Sequence, residues 1–390
     1  MKKTIYGILL LVLGISVKAQ NNHSFFIDQD WEKARDLAKE SNKILIVDFY
    51  TEWCGWCKVM DKNTFSDSTV LAALNKDFVG LKLDAEKGIG VDVAMKYGVS
   101  GYPTIGYFYP SGKPIAIWSG YCEPAVFLQN LDSIKSRAIS GIDFYPGVSS
   151  NLNLDFPDFF LKANGKNGKR KYPDEKTLTK WLSKNDVMNE VGFRVFQRFS
   201  FLLNDSMQNL FTSLMPEYNK QFATEEVYSV GRDLIFMQLN KATSANDTAL
   251  FNEILHKAPL YCEPGKSEDL KADLRFQYYQ DTKDYAHLVP MVEERFGEQS
   301  EGERYLLNNI AWELVENCSD KALLERAAKW MAKVIVAEPK YNYIDTYAWL
   351  LYKTNKLELA KEVAERAINV AKNEGKNAAE TEKLLELLKQ

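Results

Sequence analysis

Cys54 and Cys57 stand three residues apart in Trp53-Cys54-Gly55-Trp56-Cys57-Lys58, directly after the mostly apolar run Ile44–Tyr50. Two cysteines at this spacing can lie on neighbouring turns of a helix, with the first at its N-terminus. Unpaired backbone N–H groups and the helix dipole favour a thiolate there. The thiolate is the species that attacks a disulfide, so this placement selects Cys54 as nucleophile. Cys57, one turn further in, is shielded from substrate yet close enough to close a ring with Cys54. Such a pair can carry out dithiol–disulfide exchange, with a mixed disulfide on Cys54 that Cys57 displaces.

Further residues are candidates for the same site. Asp48 lies in the middle of the apolar run, six residues before Cys54. A buried carboxylate there is hard to ionise and can exchange a proton with Cys57. Pro103 follows Gly101-Tyr102 and precedes Thr104. A cis bond before it would set a backbone edge beside the cysteines, ready to pair with an extended substrate. Trp53 and Trp56 would supply an apolar rim, and Tyr102 joins them as a substrate-binding candidate. The blander alternatives are half of a zinc site and a permanent structural disulfide. A structural zinc needs four ligands, and no second cysteine pair follows; His23, His256 and His287 are scattered. No metal and no organic cofactor are expected, the redox-active group being the Cys54–Cys57 disulfide. Of the other cysteines, Cys122 reads as a buried small hydrophobe, and nothing in the sequence brings Cys262 and Cys318 together.

The elements that must position these residues follow from periodicity. Trp31, Ala34, Leu37 and Ala38 recur at spacings of three and four, which predicts an amphipathic helix over 30–41. Ile44–Tyr50 is rich in β-branched residues and suits a strand buried on both faces. A helix is expected over Lys58–Phe65, a strand over Phe78–Asp84 and a short helix over Val91–Tyr97. Ile105–Tyr109 and Ile115–Ser119 flank Pro110-Ser-Gly-Lys113, a turn joining antiparallel strands. Pro124 suits the first turn of a last helix running to about Ala138. Strands alternating with helices imply an α/β domain with a mainly parallel sheet covered on both faces.

Val47-Asp-Phe-Tyr-Thr-Glu-Trp-Cys-Gly-Trp-Cys-Lys58, together with Gly98-Val-Ser-Gly-Tyr-Pro-Thr104, resembles the thioredoxin superfamily over about residues 25–139. Cys57-Lys-Val-Met-Asp61-Lys-Asn-Thr-Phe65-Ser-Asp67 is similar to the C-terminal periplasmic domain of DsbD-type thiol:disulfide interchange proteins. The resemblance implies that Cys54 attacks, Cys57 resolves, Pro103 is the cis proline and Asp48 the buried acid. It makes Asp61 a second carboxylate near the pair, the alternative being a solvated acid on a helix face. The chain departs from thioredoxin at Trp56, where thioredoxin has proline. It departs again at Gly80, the position of the lysine that accompanies thioredoxin's buried acid. The electron-carrying membrane segments of full DsbD proteins are absent from the sequence, so a separate membrane electron donor is expected.

The 390 residues exceed one compact domain, and 46% apolar with 26% charged residues allows a core throughout. Lys2 and Lys3, the apolar stretch Ile5–Val17 and Ala19 form a secretory signal pattern, which predicts a cleaved signal peptide over 1–19 and a periplasmic or secreted protein. The formal charge of −4 and one short basic run argue against nucleic acid. That run, Lys166–Lys171, reads as a solvated loop. A thioredoxin-like domain is expected over 20–139, changing to an all-α region near Ser140–Leu154. Helices are predicted over Phe193–Leu203 and Leu234–Leu239, within a helical region of 140–300. Ala311-Trp312 and Ala348-Trp349, 37 residues apart, each open a helix followed by an alanine-studded one (Ala328, Ala332; Ala360, Ala364). Pro339 separates the pairs. The pattern resembles tetratricopeptide repeats over 301–390, closed by a helix over Ala378–Leu388, with a concave surface for a protein partner. Function is read as exchange with protein disulfide substrates, as reductase or isomerase. The alternatives are a net oxidase and a non-catalytic partner-binding module.

Overall fold

The computed structural model describes residues 25–166, 169–296 and 301–389. The expected signal peptide therefore lies outside the described residues. The N-terminal elements are β1 (Phe26–Asp28), α1 (Trp31–Glu40), β2 (Ile44–Tyr50), α2 (Gly55–Asn63), α3 (Ser68–Asp77), β3 (Phe78–Asp84), α4 (Gly88–Lys96), β4 (Thr104–Phe108), β5 (Pro114–Ser119) and α5 (Pro124–Ile139). The sheet order is β1-β3-β2-β4-β5. β2 and β3 have the expected bounds because both faces of each are covered, which keeps their runs apolar.

Three expectations need correction. The sheet is mixed rather than mainly parallel: the β1–β3 and β3–β2 ladders are parallel, whereas β4 runs against both of its neighbours, β2 and β5. The reason is the hairpin at Pro110–Lys113, where Gly112 takes φ 89° and its N–H bonds to the Tyr109 carbonyl; the short edge strand β1 adds the second parallel ladder, beside β3. α2 begins at Gly55 and not at Lys58, because Cys54 itself caps it. Leu37 is 44% exposed; α1 buries Trp31, Ala34 and Ala38 instead, with Trp31 edge-on to Phe108. On the opposite side of the sheet, Met60, Val70, Leu74, Phe127 and Leu131 pack over Ile46, Ile105 and Ile115.

Next come α6 (Asp158–Ala163), α7 (Glu175–Leu182), α8 (Glu190–Arg198), α9 (Asp205–Tyr218) and α10 (Thr224–Ala245). The chain divides into two compact units, the first ending at Val227 and the second beginning at Tyr228. Residues 140–227 thus share a unit with the sheet. A buried polar network joins them: Lys96, at the end of α4 and fully buried, pairs with Glu190 at the start of α8. Ser149 donates its backbone N–H and its hydroxyl to the other Glu190 oxygen, both at 3.0 Å. Arg194 donates Nε to the Lys96 carbonyl and Nη1 to Glu226 at 2.8 Å. Burial pulls the Lys96 ammonium down to about 8, against the attraction of Glu190.

The second unit continues with α11 (Thr248–Lys257), α12 (Ser267–Asp281), α13 (Tyr285–Arg295), α14 (Glu301–Asn317), α15 (Lys321–Ala337), α16 (Tyr341–Lys353), α17 (Leu357–Glu374) and α18 (Ala379–Leu387). Ala311-Trp312 and Ala348-Trp349 do not open helices; they lie in the second halves of α14 and α16. Leu307 and Ile344 already belong to the buried stripe ahead of them. Ala328, Ala360 and Ala364 are buried between helices, and the Trp312 and Trp349 rings meet edge-on at 6.4 Å. Leu234–Leu239 is one stretch of α10, and the run ending at Leu203 divides into α8 and a single 3₁₀ turn over Ser200–Leu202. Removing one partner of a buried ion pair strands the other. Glu190→Ala is therefore expected to cost about 3–5 kcal/mol in urea unfolding, and a loss below about 1 kcal/mol would contradict the assigned role of this pair.

Candidate functional site

The site begins where β2 hands the chain to α2. Cys54 is the N-cap of α2, in extended conformation, and the Cys57 N–H points at its sulfur with N···Sγ 3.0 Å. The two sulfurs form a disulfide, S–S 2.02 Å, and both residues are almost wholly buried. In the reduced state that N–H and the positive end of α2 face the Cys54 sulfur, which favours its thiolate. The Tyr102–Pro103 peptide is cis, Pro103 is buried, and β4 starts at the next residue. Trp53 and Trp56 are 65% and 61% exposed, a large apolar surface on either side of Cys54. Trp53 stands edge-on to Tyr102 at 5.9 Å, and Trp56 lies against Tyr121 at 5.5 Å.

Beneath this rim Asp48 is 2% exposed. In the parallel pairing of β2 and β3 its partner is Lys82, whose ammonium lies 3.2 Å from one Asp48 oxygen. The same ammonium bonds Asp61 on α2. The second Asp48 oxygen, Oδ1, is buried without a hydrogen-bond partner. Burial pushes the Asp48 carboxyl up to about 6; the Lys82 charge opposes the shift and the Asp61 charge adds to it. A carboxyl of this kind can take up and release a proton near neutral pH. Asp61 is therefore tied to Asp48 through Lys82 rather than standing alone on a helix face.

Sequence reasoning missed Lys82, because it placed thioredoxin's companion lysine on Gly80. The structure gives the reason for the shift. A Cβ at Gly80 would stand 2.9 Å from Cδ1 of Phe26 and closer still to the Phe25 ring. Those two aromatics fill the place of a side chain, and the cation moves two residues along the same face of β3. The signal was present: Lys82 is the one cation within Phe78–Asp84. Glu86 and Arg170 were missed as well. Trp53 donates its indole N–H to Glu86 at 2.9 Å, and Arg170 bonds the other Glu86 oxygen at 2.8 Å. Arg170 also lies against Tyr102, where its charge opposes the upward push of burial on the phenol. Lys166 pairs with Asp92 of α4. Lys166 and Arg170 of the basic run are thus paired with acids of the sheet domain, while Lys169 and Lys171 stay exposed.

Cys122, Cys262 and Cys318 are free thiols. Cys122 is partly exposed instead of buried, with Asn130 Nδ2 3.5 Å from its sulfur; its place in the turn before α5 leaves one side open. Among the described residues no group of three His, Cys, Asp or Glu is arranged to hold a metal ion.

The raised Asp48 carboxyl has a consequence for stability. Between about pH 4 and 6 the folded chain holds a proton there that the unfolded chain has released. Asp48 therefore costs stability above pH 6, and the cost disappears as pH falls below 4. Asp48→Asn is expected to stabilise the disulfide-intact protein by roughly 2–3 kcal/mol at pH 8 and by little at pH 4. Urea unfolding at the two pH values checks this, and an equal effect at both would contradict it.

A family model described as thioredoxin-like matches residues 27–110. The DsbD thiol:disulfide interchange protein of Vibrio vulnificus strain YJ016 is 33% identical over 129 residues, 31% of this chain and 21% of the relative. Protein disulfide isomerase-like 5-3 of Oryza sativa subsp. japonica is 30% identical over 127 residues, 32% of this chain and 29% of the relative. The chain therefore spans between a fifth and a third of the length of these two relatives. A solution structure of a thioredoxin from Thermus thermophilus is 24% identical, covering 30% of this chain and 91% of that one, with a TM-score of 0.28. The domain built around Cys54 and Cys57 is a member of the thioredoxin superfamily.

Proposed function

We propose that this chain is an exported thiol–disulfide oxidoreductase acting on protein disulfides, as reductase or isomerase. The observation that carries the reading is the Cys54–Cys57 pair at the N-terminus of α2, with Cys57 one turn inside and an exposed tryptophan on each side of Cys54. In the reducing direction the Cys54 thiolate attacks one sulfur of a substrate disulfide and expels the other as thiolate. A mixed disulfide on Cys54 results. Cys57 then gives its proton to the Asp48 carboxylate and attacks the Cys54 sulfur. The substrate leaves with both sulfurs reduced, having gained two electrons from the protein, whose dithiol is now the Cys54–Cys57 disulfide. The cis Pro103 edge and the rim of Trp53, Trp56 and Tyr102 hold the extended substrate.

Export rests on the signal pattern of residues 1–19 and on the resemblance to the periplasmic domain of DsbD-type proteins. No helix among the described residues is long and apolar enough to cross a membrane. Return of the pair to its dithiol form is assigned to a separate membrane electron donor. The helix pairs over 301–390 are read as tetratricopeptide-like repeats that hold a protein partner.

The test is insulin reduction with dithiothreitol as electron source. The wild-type chain is expected to accelerate it. Cys54→Ser is expected to abolish the acceleration, and Cys57→Ala to accumulate reducible adducts on Cys54. Absence of activity and of adducts would overturn the reading in favour of a binding module. A glutathione equilibrium near roughly −120 mV, the range of strong oxidants, would reverse the assigned direction.

A further inference from the structure

A cleft of about 480 Å³ opens among α14, α16 and α18, far along the chain from the cysteines. Four carboxylates line it: Glu313 and Glu316 from α14, Asp345 from α16 and Glu380 from α18. Their hydrogen-bond donors are neutral. Glu313 accepts from Gln280 at 3.1 Å and from the Tyr285 hydroxyl at 3.2 Å. Glu316 accepts from the Trp312 indole at 2.8 Å, and Asp345 from the Thr381 hydroxyl at 2.6 Å. Cations nearby are engaged with other acids: Lys340 and Arg304 with Glu338, and Lys376 with Glu374. Among the described residues, none of the four is paired with a lysine or arginine.

A second observation points to a ligand. Asn308 lines the same cleft, is only 9% exposed, and its carboxamide oxygen is buried with no hydrogen-bond partner. A buried acceptor left unpaired is costly, so a site holding one is suited to a donor from outside. Asp345 tells the same way: burial pushes its carboxyl up to about 6, and the Glu380 charge adds to the shift. Every one of these groups is an acceptor with no cation to answer it.

We propose that this cleft binds an arginine side chain presented by a basic segment of a protein partner. A guanidinium carries five N–H donors and no acceptor, in a planar fork that matches carboxylates two atoms at a time. Its flat face can also lie on an indole such as Trp312. A lysine ammonium has three donors and no plane, and fills fewer of these positions. The inference rests on the reading of the C-terminal helices as a partner surface and names the chemistry of what they hold; it does not involve the thiols.

The experiment is calorimetric titration of the full oxidised chain with four dodecapeptides, in which glycine alternates with Arg, Lys, Gln or Glu. The Arg peptide is expected to bind, the Lys peptide at least threefold more weakly, and the Gln and Glu peptides at least thirtyfold more weakly. Glu316→Gln with Glu380→Gln keeps the side-chain shapes on exposed positions and is expected to weaken Arg-peptide binding at least tenfold. Glu358→Gln, Glu362→Gln and Glu365→Gln together, on exposed positions of α17, should leave it unchanged. No binding of the Arg peptide, equal loss in both variants, or equal affinity for Lys and Arg would each overturn the assignment. Binding of the Gln or Glu peptide that Asn308→Ala abolishes would reject the cation while leaving the partner surface standing.

Discussion

One ammonium group shared by two carboxylates is the interaction around which the N-terminal site is arranged. Asp48 lies in the middle of a sheet, in a strand whose other neighbours are apolar, and an isolated anion there would be strongly disfavoured. Strand pairing sets Lys82 directly opposite it, and the last turn of α2 brings Asp61 to the same nitrogen. The balance is incomplete, because burial still outweighs the attraction of Lys82 and leaves the carboxyl reluctant to ionise. That incompleteness is what suits it to proton exchange. β2 runs into α2 with only four residues between them, so Asp48, the cysteine pair and Asp61 belong to one short segment.

Residues around that segment were legible to different degrees, and the differences have physical causes. β2 and β3 could be bounded to the residue, since a strand covered on both faces is apolar along most of its length. The cysteine pair, the cis proline and the tryptophans are local features, visible within a few neighbouring positions. β1 escaped notice because three residues at a sheet edge carry no period. α3 escaped because only Val70 and Leu74 are buried along its ten residues, although Asp67 caps its first turn as a sequence signal would suggest. Lys82 required knowledge of strand register, which one sequence does not contain. The link from Arg170 through Glu86 to Trp53 joins residues far apart in the chain, and no local pattern announces it.

The helical half shows a similar split. Ala328, Ala360 and Ala364 are buried in the helical core, while Ala332 is only partly covered. Helix starts were displaced, since the Ala-Trp pairs mark helix interiors: α14 opens on a polar turn, whereas α16 already buries Tyr341, Tyr343 and Ile344 ahead of its pair.

Residues 140–227 bear on how self-sufficient the redox domain is. Here the end of α4 is finished by another part of the chain: Lys96 has no exposure at all, and the acid that neutralises it comes from α8. A fragment cut after Ile139 would carry that ammonium, and the apolar surface around it, bare to water. Grafting this domain elsewhere, or trimming the protein to its catalytic core, would therefore have to retain the extension through Val227 or redesign the face that it covers.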